Sequence, residues 1–138
     1  MNPVRFRIRP VAKRFYFKVL IFDTKAEMRE WWRQYDRQFL AGKYDGSGFG
    51  AMTIPYELIR GEEIGSEIGT VIFSKEQVGS GTVAHEMGHA AMWYDRLVNG
   101  NTNAEYGESI GEAEERMLYV LAELVSQTVN KMYKKKIL

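Results

Sequence analysis

The chain has no cysteine. That excludes a disulfide framework and any zinc site built on thiolates. It has only two histidines in 138 residues, and both fall in one short stretch, so no metal site with three imidazoles can be drawn from it. No run is long and apolar enough to span a membrane. The opening "MNPVRFRIRPVAKRF" is too charged for a secretory signal, so the expected location is cytoplasmic, with no membrane partner. No repeat, linker or low-complexity tract divides the sequence, which predicts one domain over 1–138, long enough to bury a core.

An overall excess of charge is also lacking, since the formal net charge is +1. The distribution is uneven. Residues 1–43 carry 11 Lys and Arg against 4 Asp and Glu, residues 44–130 carry 4 against 14, and residues 131–138 add four lysines. Solvated faces of a strand and a helix, with a solvated terminal "KKK", account for the basic segments. Nucleic-acid binding through the basic N-terminal third is the less favoured alternative, which a salt-dependent affinity for DNA would support.

What is present reads as strands and a helix followed by two helices, an α+β layout. "VRFRIR" (4–9) alternates as a half-buried strand does, and "RFYFKVLIF" (14–22) reads as a more buried one. Thr24 and Glu27 form a capping box opening a helix. That helix sets Met28, Trp31, Trp32, Tyr35 and Phe39 at helical spacing as a core-facing stripe, and Gly42 ends it before the loop "KYDGSGFG". "AMTIPYELIR" (51–60) predicts a strand that Pro55 marks as an edge or a bulge. "TVIFS" (70–74) predicts another. A helix over Thr82–Val98 follows, then the loop "NGNTN". Ser109 with Glu112 caps a long C-terminal helix.

The chemistry concentrates in "TVAHEMGHAAMWYD" (82–95). His85 and His89 are four apart, so on a helix they share a face and can bind one zinc ion. Glu86, beside the first, can take the proton of a metal-bound water. The flanks Thr82, Val83, Ala84, Met87, Gly88, Ala90 and Ala91 carry no charge, as a helix that positions metal ligands requires. A catalytic zinc commonly has three protein ligands and a water, and with no histidine left the third must be a carboxylate. Asp95 stands six residues after His89, but a helix continuing past Met92 turns it away. Glu114 falls on an apolar stripe read through Ile110, Met117, Leu118, Leu121, Leu124, Val125 and Val129, where a charge needs a partner or a metal. Glu114 is the favoured ligand, and Glu115 is the reserve. A salt bridge with Arg116 or with the N-terminal basic segment would also account for Glu114.

An H-E-x-x-H helix followed by a helix bearing a ligand Glu resembles the gluzincins. "HEMGH", followed by Glu114 with Met117, Val120, Leu121, Leu124 and Val125, is more narrowly similar to the ImmA/IrrE family of small phage and bacterial metallopeptidases. The resemblance covers residues 82–125. It departs from the family at the usual Ala and Phe positions and lacks the "LL-x-P" ending. It implies a minimal zincin-like fold: a small, mainly antiparallel or mixed sheet, an N-terminal helix, the H-E-x-x-H helix and a long C-terminal helix. It also implies a cytosolic zinc endopeptidase acting on a protein or peptide substrate. His85, His89 and Glu114 would hold Zn2+, and Glu86 would serve as general base. Tyr94, Tyr106 and Tyr119 are available as oxyanion partners. The strand "TVIFS" is a candidate for pairing with substrate along its edge. A zincin-like module that binds without catalysis is the alternative, and the intact Glu86 speaks against it.

Overall fold

A computed structural model describes residues 2–10, 14–39, 50–56, 65–99 and 110–138. The fold is α+β, with a four-stranded mixed sheet and, among the described residues, three helices. The strands are β1 (Val4–Ile8), β2 (Tyr16–Phe22), β3 (Ala51–Pro55) and β4 (Glu67–Ser74), and their spatial order is β1-β2-β4-β3. β1 runs antiparallel to β2, β2 parallel to β4, and β3 antiparallel to β4. The helices are α1 (Lys25–Phe39), α2 (Ser80–Asn99) and α3 (Ile110–Lys134).

Sequence dictates which strands are central. "VLIF" in β2 and "VIF" in β4 are continuous apolar runs, as strands covered on both faces require. Phe17, Val19, Ile21, Val71 and Phe73 turn to the face covered by α2 and α3, where they meet Val83, Met87, Ala90, Leu124 and Met132. Leu20, Phe22, Ile54 and Ile72 turn to the other face and pack on Met28 and Trp32 of α1. Phe17 and Phe73 are fully buried, each contributing roughly 1.5–3 kcal/mol by removal from water. Thr24 caps α1 as expected, its hydroxyl accepting the Glu27 N–H at 3.1 Å. As far as Tyr35 the stripe on α1 does face the core: Met28 and Trp32 are buried, and Tyr35 stacks between Trp31 and Trp32, while the Phe39 side chain lies outside the described residues.

One irregularity interrupts the central β2–β4 ladder. Tyr16 pairs with Glu67 but Phe17 pairs with Gly69, so Ile68 is an extra residue in β4, a bulge. The bulge keeps Ile68 on the same side as Val71 and Phe73, fully buried in the α2–α3 core. Gly69 is required there. A Cβ at that position would lie 2.9 Å from the Phe17 ring and 3.0 Å from the Ile54 carbonyl oxygen.

Several expectations move. β4 begins at Glu67 and is internal, with β2 on one side and β3 on the other. Its ladder is therefore used on both edges, and "TVIFS" has no edge to offer a substrate. The edge belongs to β3, in agreement with Pro55. Among the described residues nothing pairs with its second side. The loops "KYDGSGFG" and "NGNTN", the segment after Tyr56, Ser109 and Tyr106 lie outside the described residues. Among the described residues, no helix is long and apolar enough to cross a membrane.

Candidate active site

α2 lies against the sheet through Val83, Met87, Ala90 and Ala91, all buried. The opposite face carries Ala84, His85, His89, Met92 and Arg96, all exposed. His85, His89, Met92 and Arg96 recur at helical spacing and form one side of a cleft of about 370 Å³. The far side is β3, with Thr53 and Pro55.

The two imidazoles converge. Their Nε2 atoms are 3.2 Å apart, and the rings stand edge to face at 80° with centroids 4.8 Å apart. Two nitrogens about 2.05 Å from a tetrahedral zinc would be separated by about 3.3 Å. The pair is thus at chelating separation, and the same distance suits a hydrogen bond from one ring to the other. The histidines are on the surface, with the His85 side chain 69% exposed. The expectation of an apolar setting holds for the inner face of α2 and not for these rings, which the helix turns to the cleft.

Glu86 is placed differently from its neighbour, with a side chain only 7% exposed. The Thr53 hydroxyl donates to its Oε1 at 2.8 Å, with the Glu86 backbone carbonyl as a second acceptor at 3.1 Å. The other oxygen, Oε2, faces His85 Nε2 at 3.9 Å. Trp93 lies two turns further along α2, and its indole N–H donates to the carbonyl of the bulged Ile68 at 2.8 Å. That carbonyl also accepts from the Tyr56 N–H at 3.2 Å. The helix is therefore tied to edge strand β3 through Thr53 and to its neighbour β4 through Trp93, and the Thr53 contact fixes the carboxylate.

No protein-family model, curated protein or solved structure matches the chain. Neither Thr53 nor Trp93 had a signal in the sequence that selects it. A threonine in a strand is ordinary, although the period of α2 does set Trp93 on the flank of Glu86.

The carboxylates weighed as third ligand are elsewhere. Asp95 is buried and accepts two hydrogen bonds from the Arg116 guanidinium, at 2.8 and 3.3 Å. α2 is helical without a break through Met92, which turns Asp95 to α3. Arg116 is thus the partner of Asp95 and not of Glu114. Glu114 and Glu115 are exposed. The stripe that α3 buries runs through Met117, Val120, Leu124, Thr128 and Met132, while Leu118 is 51% exposed. Leu121, Val125 and Val129 pack against the same core, so the expected stripe holds except at Leu118, and Glu114 shares the outer flank with Leu118. The contacts of Arg116 with Asp95 and of Thr128 with Met87 set α3 antiparallel to α2. In that register Glu114 lies beyond Asp95, about 12 Å along the axis from His89 at 1.5 Å per residue. Among the described residues, no three His, Cys, Asp or Glu side chains are gathered to hold a metal ion.

Of the candidate tyrosines, the two described ones, Tyr94 and Tyr119, also stand apart from the cleft. Tyr94 is buried edge-on against Phe15, and Tyr119 is 69% exposed on α3. Tyr56, next to Pro55, is buried and its hydroxyl pairs with Thr70. Burial pushes its phenol well above the ordinary value of 10.0, so it remains protonated and acts as a lock on the strand.

Proposed function

We propose that the chain is a zinc-dependent metallopeptidase that cleaves a peptide bond in a protein substrate. The reading rests on one observation above others, the pairing of two Nε2 atoms 3.2 Å apart beside a buried carboxylate aimed at them. In this proposal His85 and His89 hold Zn2+ and Glu114 is the third ligand. The imidazole pair fits two positions of a tetrahedral site, whereas Glu114 stands outside the cluster, so its place is the part of the proposal most exposed to test. A zinc ion would supply Lewis acidity, polarising a carbonyl and acidifying a bound water.

The chain's own residues have separable tasks. Glu86 Oε2, the oxygen not engaged by Thr53, takes a proton from the attacking water and returns it to the leaving amine. Thr53 is a positioning residue. Its hydroxyl holds Oε1 and so aims Oε2. The open side of β3 suits an extended peptide added as a further strand along the cleft. A second reading, a zincin-like module that binds a partner without catalysis, is favoured by the lack of a third gathered carboxylate among the described residues.

Metal analysis of purified protein decides between them. About one zinc per chain is expected, lost in His85→Ala and strongly weakened in Glu114→Ala, with Glu86→Gln keeping the metal and the fold but not cleavage of a casein substrate. Zinc retained in full by His85→Ala would end the metal-site reading. Metal retained by Glu114→Ala would remove that residue from the ligand set.

A further inference from the structure

The two basic segments at opposite ends of the sequence meet in space. Val4, Phe6 and Ile8 turn to the α2–α3 core, so Arg5 and Arg7 stand on the other face of β1, with Arg9 just past its end. Arg5 and Arg7 are exposed. The register sets Lys18 of β2 directly opposite Arg7. α1 packs over Leu20, Phe22, Ile54 and Ile72, and the arginine half of this face lies outside that cluster. The Tyr16 ring carries the Arg7 guanidinium at 4.3 Å and that of Arg9 at 5.3 Å, which fixes both.

α3 brings the second segment to the same edge. The Gln127 side chain takes both backbone groups of Arg9, accepting from its N–H at 2.7 Å and donating to its carbonyl at 2.6 Å. Lys131 Nζ donates to the Arg7 carbonyl at 2.6 Å. This closes the β1 edge and leaves Lys134, Lys135 and Lys136, all exposed, at the end of the helix so anchored. Like charges directly opposite in a ladder are destabilising. Among the described residues, the acidic groups beside these cations include Glu67, 4.0 Å from Lys18, and, on α3 at the β1 edge, Glu123, bonded to Gln127.

We propose that this face binds the phosphodiester backbone of a single-stranded nucleic acid, without base specificity. Alternate residues of a strand repeat every ~6.8 Å. Arg5 and Arg7 leave β1 at that pitch, and with Arg9 and Lys18 beside them they offer several cations to successive phosphates along one strand. A fluid layer of lipid headgroups has no such order to match. With guanidiniums over Tyr16, the contacts are ionic, and ionic contacts carry no sequence information. The face is on the β1 edge, and the histidine cleft is on the β3 edge. The proposal therefore stands whether or not the chain is a peptidase.

The test is fluorescence anisotropy of a labelled oligothymidylate with the full chain, over salt from about 50 to 200 mM. Saturable binding that weakens linearly on a log–log plot is expected. The paired substitution Arg5→Ala and Arg7→Ala should lower the slope by about 1.4, two contacts at about 0.7 each. Replacing Lys134, Lys135 and Lys136 with Ala leaves the sheet untouched and should also reduce the slope. Lys75→Ala, in a residue that pairs with Asp23, should match the parent. Thermal melts show whether each variant is folded. No saturable binding at low salt, or slopes unchanged in both basic variants, overturns the proposal. So does tighter binding to phosphatidylserine vesicles or polyglutamate than to the oligonucleotide at the same salt.

Discussion

Replacing Asp95 with Ala separates a structural role from a ligand role at the residue where the two compete most directly. Asp95 is buried and grips Arg116 through two hydrogen bonds, tying α2 to α3. Breaking a fully buried ion pair costs about 3–5 kcal/mol because the remaining charge is stranded. Here the Arg116 side chain is 28% exposed, so the freed guanidinium reaches water and the loss falls to about 2 kcal/mol. A chain of this length unfolds with an entropy near 0.29 kcal/mol/K, so Asp95→Ala should melt about 7 °C below the parent. Arg116→Ala should lose more, since it strands the more deeply buried Asp95 carboxylate, and the double variant should lose less than the two single losses added together, since the pair couples. The assay is a thermal melt of all four proteins, with zinc content measured on each. A melting temperature of Asp95→Ala within about 2 °C of the parent would refute the structural role. Loss of zinc from Asp95→Ala but not from Glu114→Ala would make Asp95 a ligand and require α2 to break near Met92.

Three further outcomes follow from the same contacts. Thr53→Val removes the donor to Glu86 Oε1, a hydrogen bond to a charged group that contributes about 1.5–3 kcal/mol. If Glu86 is the base, kcat should fall roughly 10- to 100-fold with zinc content unchanged, and parental kcat would remove Thr53 from the site. Gly69→Ala sets a methyl against the Phe17 ring and the Ile54 carbonyl, where the backbone cannot yield freely. A loss of about 1–3 kcal/mol in urea unfolding is expected, and parental stability would mean that the bulge relaxes. The phenol of Tyr56 is raised by burial above 10.0. The unfolded chain therefore releases that proton first, and stability falls as pH rises above about 10, by up to about 1.4 kcal/mol per pH unit. Tyr56→Phe should flatten this alkaline slope in melts followed from neutral pH to pH ~11, and an unchanged slope would assign the loss to other groups.

The sequence by itself determined the local elements and the pair of imidazoles. Alternation and β-branched runs set β1, β2 and β4. Thr24 capped α1, and the uncharged flanks of His85 and His89 set α2 to within two residues of its expected start. These signals are local, because caps and periodicity act over a few neighbouring residues. Pro55 even marked the edge strand, since a proline cannot donate to a ladder. Only the tertiary structure decided what depends on which elements become neighbours. Strand order made β4 internal and gave the cleft to β3. Helix register matched Arg116 with Asp95 and carried Glu114 to the outer flank beside Leu118. A period of 3.6 residues gives the faces of α3 but not the rotation that packing chooses when apolar residues extend over more than one face. The Thr53 contact with Glu86 spans 33 residues and the Lys131 contact with Arg7 spans 124. Pairings so distant have no periodic trace in the chain, because they form only where packed sheet and helices bring the two segments together.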